Sequence, residues 1–282
     1  MNLIIQGIDI PTPSLKQLAK LTGAKAIEAV SPTAFRLLAA DVGQRETVAA
    51  FCAQNGVDCG WVPAERRIGD FGLLVMDMDS TLITIECIDE IADMQGLKPQ
   101  VSAITEAAMR GEIDFAESLR RRVSLLEGLD QIALQRVYDE RLQLSPGADA
   151  LLAATRAAGI KTLLVSGGFT FFTERLKTRL ALDYTAANLL EVANGKLTGR
   201  VAGDIVDAQG KADWLNRVRT ELGLKQEQVI AMGDGANDLK MMAEAGLSIA
   251  YHAKPVVRAQ ASHALSQVGL EGVIPLLGQP KK

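Results

Sequence analysis

The sequence predicts an α/β protein: a doubly wound parallel sheet with a helical cap inserted after its first strand, and a small α+β unit in front. Three observations lead there. Residues 73–76 are Leu-Leu-Val-Met, an apolar run that ends abruptly in Asp77 and Asp79. From residue 71 onward, short apolar runs alternate with stretches of helical periodicity, the pattern of parallel strands with helices on both faces. Residues 1–68 have a different rhythm, with four expected strands and two expected helices.

In that first segment, strands are expected at 3–8, 26–30, 35–42 and 57–62, and helices at 14–21 and 47–54. Pro11 and Pro13 mark the first helix start, and Ser31-Pro32 marks a turn between the second and third strands. The order βαββαβ is that of a ferredoxin-like split unit. Its topology resembles the small amino-acid-sensing modules attached to biosynthetic enzymes, which implies an amino-acid effector. No ligand-binding glycine pattern accompanies it, and a packing or homodimerisation appendage is the simpler reading. Residues 63–70 form a polar linker, dividing the chain into units 1–68 and 69–282.

In the second unit, strands are expected at 73–76, 161–165, 229–231, 247–250 and 264–268, with helices beginning near Gly147, Phe169, Ala212 and Asn237. Two insertions interrupt the alternation. Residues 184–201 read as a hairpin around Asn194-Gly195, a strong two-residue turn signal. Residues 88–145 carry only helical periodicity, and Phe115, Leu119, Val123 and Leu126 share a face of the third helix. This cap follows the aspartate loop directly, so it can lie over the carboxyl edge of the sheet as a lid that excludes water.

Composition narrows the function classes. Of 282 residues, 30 are basic and 34 acidic, for a net charge of −4. No basic block stands out and aromatics are 4%, which argues against nucleic acid as the partner. No window approaches the ~18 apolar residues of a membrane span. Cys52, Cys59 and Cys87 are sparse and odd in number, as expected of free thiols in a reducing compartment. With no basic leader region at the N-terminus, a cytoplasmic location is expected.

A buried strand has no use for carboxylates unless a cation or a chemical role offsets their desolvation. Asp77 and Asp79 sit at a strand's carboxyl end, where open α/β sheets place their ligands. Three further features fall at comparable positions: Ser166-Gly167-Gly168-Phe169-Thr170, Lys211 at a helix start, and Gly233-Asp234-Gly235-Ala236-Asn237-Asp238. Together they suit phosphoryl transfer. Asp77 is the carboxylate nucleophile, and Asp79 the general acid that protonates the leaving alkoxide and then activates water. Hard oxygens from Asp77, Asp234 and a backbone carbonyl near Asp79 suit Mg²⁺, and Lys211 adds a second positive charge. Ser166 and the N–H groups of Gly167 and Gly168, at a helix N-terminus, donate to the phosphate. Asn237 and Asp238 orient Lys211, metal-bound water or the phosphate. His252 and His263 lack a second ligand at helical spacing and are read as packing residues.

These motifs, in this order, resemble those of the haloacid-dehalogenase-type phosphohydrolases, and the fuller run resembles the phosphoserine phosphatases among them. The matching stretches begin at Asp77, Phe115, Ser166 and Gly233, and the last runs through His252-Ala-Lys-Pro255. The resemblance covers residue 71 to the C-terminus and implies O-phospho-L-serine as substrate, Mg²⁺ as cofactor and the last step of L-serine biosynthesis. It also implies substrate roles: Glu86 for the ammonium, Arg122 for the carboxylate, and Met109 with Phe115 as an apolar wall. Three rivals remain from the residues alone. They are a phosphotransferase to another alcohol, a non-catalytic amino-acid sensor, and a metal-dependent sugar transferase, which would leave Lys211 and the Gly-Asp-Gly loop without a role.

Overall fold

The computed structural model describes residues 1–278. The first four strands are β1 (Asn2–Gln6), β2 (Ala26–Ser31), β3 (Ala34–Leu38) and β4 (Asp58–Val62), with helices α1 (Thr12–Thr22) and α2 (Arg45–Gln54) between them. They form an antiparallel sheet in the order β2-β3-β1-β4, which is the ferredoxin-like arrangement. Alternation sorts its two faces. Leu3, Ile5, Leu37 and Trp61 pack under the two helices, whereas Ile4 and Val62 face the other way and join the core of the second sheet. The third strand stops at Leu38 rather than 42, because Ala39 turns to φ 53° and residues 42–44 form a 3₁₀ turn.

The second sheet begins with β5 (Leu73–Met76), wholly buried. Four cap helices follow: α3 (Cys87–Met94), α4 (Lys98–Met109), α5 (Phe115–Ser124) and α6 (Ile132–Glu140). Next come α7 (Ala148–Ala157), β6 (Lys161–Phe169), α8 (Thr170–Leu180), β7 (Tyr184–Ala193) and β8 (Lys196–Ala202). The chain closes with α9 (Ala208–Glu221), β9 (Val229–Gly233), α10 (Leu239–Ala243), β10 (Leu247–Tyr251), α11 (Pro255–Arg258) and β11 (His263–Leu265). Spatial order is β11-β10-β9-β5-β6-β7-β8. β5 is parallel to both β6 and β9, so the sheet switches direction of winding at β5. That is where an α/β crevice opens.

The hairpin β7–β8 turns at Asn194 and Gly195 with φ 51° and 76°, the paired left-handed residues that a two-residue turn of this hand requires. In the cap, Leu119, Val123 and Leu126 are buried on one side, as their spacing predicts. α9 starts four residues earlier than expected, because the Asp207 side chain accepts from the Gly210 N–H and caps it. That places Lys211 in the first turn. Among the described residues, no helix is long and apolar enough to cross a membrane, and all three cysteines are free.

Candidate active site

Three parallel strand ends bring the sequence motifs together. Asp77 follows β5, Ser166 to Phe169 end β6, and Asp234 follows β9. They floor a cavity of about 650 Å³, and the cap supplies its roof through Glu86, Phe115 and Arg122. Asp79, Gly167 and Asn237 also line it.

Asp77 is 4% exposed. Its Oδ1 accepts from the Met78 N–H at 2.7 Å and lies 2.7 Å from Lys211 Nζ. The same ammonium reaches Asp238 Oδ1 at 2.7 Å. Burial alone would lower the Lys211 ammonium, but the charges of Asp238 and Asp77 outweigh it and hold the proton on. Its net direction is upward. Lys211 is 1% exposed and lies beneath the cavity floor rather than on it, so it acts on the cavity through Asp77. Asp238 is fixed in turn, its Oδ2 accepting from the Gly235 N–H at 3.0 Å. A Cβ at Gly233 would collide with the Asp238 carboxylate, which explains the glycine there.

Carboxylate oxygens of Asp77, Asp234 and Asp238 come within 4.8 Å of one another. The third side chain of this trio is Asp238, while the Asp79 carboxylate is not part of it. One ammonium faces three acids, and the excess shows in their proton affinities. Burial, then the Asp238 charge, pushes Asp77 well above the usual carboxylate range. Burial, then Asp238 and Glu86, lifts Asp234 to about 6. A set of hard oxygen donors with surplus negative charge fits a divalent cation of the magnesium class.

Asp79 Oδ1 is out of solvent and has no hydrogen-bond partner among the described residues. Burial, then the neighbouring Glu86, pushes its carboxyl up to about 8, so it holds a proton at neutral pH. A Cβ on Gly168 would lie 3.1 Å from Ser166 Oγ and 3.3 Å from Asp79 Oδ2. Glycine therefore lets this loop close on the acid. Gly167 and Gly168 lie within β6, which runs past the expected end at 165 to Phe169, and α8 begins at Thr170, one residue beyond the expected start. The strand register shifts between Val165 and Phe169, and Ser166 Oγ accepts from the Gly168 N–H at 2.9 Å.

Glu86 precedes α3 and accepts from Ser80 Oγ at 2.7 Å. Burial raises its carboxyl, partly offset by that hydrogen bond. Phe115 and Arg122 are seven residues apart on α5 and so share a face. The Phe115 ring abuts Gly167, where a Cβ would come within 2.9 Å of Cζ. Burial lowers the Arg122 guanidinium from its ordinary value; its recorded hydrogen bond is the long one from Nε to Ser118 O, at 3.4 Å. The side chain of Met109 lies outside the described residues.

One residue here escaped the sequence reading. Asn188, on β7 and fully buried, donates from Nδ2 to the Gly167 carbonyl at 2.8 Å and accepts at Oδ1 from the Val206 N–H at 2.8 Å. One side chain thus ties the glycine loop to the segment leading into the Lys211 helix. A lone asparagine inside Ala186-Ala187-Asn188-Leu189-Leu190 is the signal that could have found it.

Comparison with known proteins agrees with this geometry. The haloacid dehalogenase-like hydrolase profile matches residues 74–243, and a domain of unknown function matches residues 3–48. A phosphoserine phosphatase of Polaromonas sp. is 55% identical over 218 residues, covering 76% of this chain and 92% of that protein. A hydrolase of the same family from Salmonella enterica serovar Typhi superposes with a TM-score of 0.90 at 34% identity, covering 98% of this chain and 99% of the other. A phospho-aspartyl intermediate analogue of phosphoserine phosphatase gives 0.68 at 37% identity, over 73% of this chain and 98% of the other.

Proposed function

Because this chain belongs to the phosphoserine phosphatases of the haloacid dehalogenase-like hydrolases, we propose that its cavity takes O-phospho-L-serine and releases L-serine and phosphate. The observation that carries the reading is the ion pair of Lys211 with Asp77, set under a roof where the Glu86 carboxylate and the Arg122 guanidinium both line the cavity. That roof matches the ammonium and carboxylate of an amino acid.

In the first half-reaction an Asp77 oxygen attacks phosphorus, forming an aspartyl phosphate while the phosphorus–oxygen bond to serine breaks. Asp79, protonated at neutral pH, hands its proton to the departing serine oxygen. In the second half, the Asp79 carboxylate takes a proton from water as that water attacks phosphorus, and Asp77 is freed with phosphate. Lys211 fixes the attacking carboxylate and offsets charge from below. Ser166, the Gly167–Gly168 backbone and Asn237, all on the cavity lining, would hold the phosphate. Magnesium, held by Asp77, Asp234 and the Asp79 backbone carbonyl, would supply the positive charge that lets a phosphate dianion approach a carboxylate, with Asp238 steadying Lys211. Glu86 would receive the substrate ammonium and Arg122 its carboxylate.

We divide the chain into 1–68 and 69–282, with the cap at about 88–145, since the first segment has its own sheet and its own apolar cluster. We read that segment as a packing or homodimerisation unit rather than an effector site. The reaction would complete L-serine formation in the cytoplasm.

The test is phosphate release from a panel of phosphorylated amino acids, with and without Mg²⁺. Phosphoserine should be preferred, with activity dependent on the ion. Asp77→Asn should remove turnover while leaving the melting temperature within a few degrees. Near wild-type activity in that variant would end the covalent reading.

A further inference from the structure

We propose that the N-terminal sheet positions the cavity-lining loop 252–254, acting through a strap formed by residues 266–268. The proposal rests on the phosphatase reading of the site and gives the first segment a role in it. Asp58, on β4 and 8% exposed, accepts from the Ser266 N–H at 3.0 and 2.9 Å and from the Gln267 N–H at 2.8 Å. The carbonyl of the next residue, Val268, accepts from His252 Nε2 at 3.2 Å. Just before the strap, the Leu265 carbonyl accepts from the His252 N–H at 2.8 Å. Two side chains, one from each side of the contact, therefore hold three consecutive residues.

His252 has φ 43°, a left-handed conformation that residues with a Cβ disfavour. Such a conformation persists only where its surroundings over-determine it. Here the determination comes from the strap. Two residues on, the Lys254 N–H donates to the Asp234 carbonyl at 3.2 Å, and Lys254 lines the cavity beside Asp234. Asp58 keeps the strap seated, the strap keeps His252 left-handed, and that backbone turn aims Lys254 at a residue of the carboxylate trio. When the strap loosens, His252 relaxes to negative φ and the Lys254 N–H leaves Asp234. His252 is thus an element with two arrangements that both ends bias, as coupling requires. Asp58 and His252 are positioning residues, since neither touches substrate.

Asp58→Asn and His252→Ala in the full chain test this. Asparagine would set its own NH₂ against two N–H donors. Alanine keeps the Cβ that disfavours φ 43° while removing the ring anchor, so His252→Ala leaves the turn free to relax. For each variant, kcat on phosphoserine should fall about five- to tenfold, the range of modest coupling. KM should change by less than about twofold, because Glu86 and Arg122 lie outside the strap. Amide exchange at Lys254, measured without metal or substrate, should speed at least about tenfold. The double variant should lose no more than the worse single one, since both act through one element. A lowered melting temperature with unchanged kcat and unchanged Lys254 exchange would reduce Asp58 to a docking contact and overturn the proposal, as would additive losses in the double variant. Should Asp58→Asn fail to fold, His252→Ala carries the same readouts. If the unaltered chain releases no phosphate from phosphoserine, the phosphatase reading fails, while Lys254 exchange still judges the strap.

Discussion

Lys211 Nζ lies 2.7 Å from Asp77 Oδ1 with both side chains out of solvent, and the same ammonium holds Asp238 at 2.7 Å. Removing one partner of a buried ion pair costs about 3–5 kcal/mol, because the others are left uncompensated. Lys211→Met should therefore lower stability by a few kcal/mol and kcat by about 10²–10³, the loss seen when one charge-stabilising donor is removed. Added Mg²⁺ should recover part of the melting temperature in this variant, since it restores positive charge among three acids. Identical melting with and without the ion would contradict the placement of the cation beside Asp77 and Asp234.

Asp79 sets a pH dependence. Burial, then Glu86, raises its carboxyl to about 8, and the first half-reaction needs it protonated. In kcat/KM, activity should hold at neutral pH and fall as pH rises through that range. Magnesium should move the fall to lower pH, because a nearby cation favours the carboxylate. Asp79→Asn should lose about 10²–10⁴ in rate and flatten the basic limb. The loss should be smaller for para-nitrophenyl phosphate, whose leaving group needs no proton. An unchanged basic limb in Asp79→Asn would assign the titration elsewhere.

Arg122 is half-buried and lines the cavity, and its Nε donates to Ser118 O at 3.4 Å, which leaves the ends of the guanidinium fork for a ligand. Hydrogen bonds to charged groups contribute about 1.5–3 kcal/mol. Arg122→Ala should therefore raise KM for phosphoserine by about ten- to a hundredfold and leave para-nitrophenyl phosphate nearly untouched. Equal effects on both esters would move Arg122 out of the substrate site.

Asn188 should behave in the opposite way. Asn188→Ala strands the Gly167 carbonyl and the Val206 N–H, each a buried group whose loss of partner costs about 1–3 kcal/mol. Both esters should then lose kcat to a similar degree, because the loop shared by all phosphate substrates is loosened. A defect confined to phosphoserine would argue against this role.

How much of this was legible depended on how local the signal was. The run 73–76 ended in two acids, and only a strand end facing a ligand tolerates that. Asn194-Gly195 gave the hairpin because a left-handed pair needs those residue types. Roles fixed by distant partners were not legible. Asp238 joins the acid trio only because β9 lies next to β5. Asn188 is read by Gly167 and Val206, each about twenty residues away. β6 runs past its expected end at 165 to Phe169 through a register shift, since Gly168 packs under Asp79.

His263 gives the last prediction, and it concerns how the two sheets stay together. The ring is 8% exposed and lies against Gly60 of β4, where a Cβ would come within 3.0 Å of Nδ1. Burial, then the charges of Arg66 and Arg45, pushes it down to about 4 from 6.5. Between those values the unfolded chain binds the proton and the folded chain does not. Stability is then complete above about pH 6.5 and is lost as pH falls toward 4, by at most about 3 kcal/mol at 1.36 kcal/mol per unit. Asp58 works against this, because burial raises its carboxyl and acid therefore favours its folded form. The comparison that isolates His263 is wild type against His263→Gln at matched pH. Melting temperatures of the two should converge as pH drops from 7 to 4, since only the wild type has a proton to refuse. A gap that stays constant across that interval would mean that the ring is protonated in place.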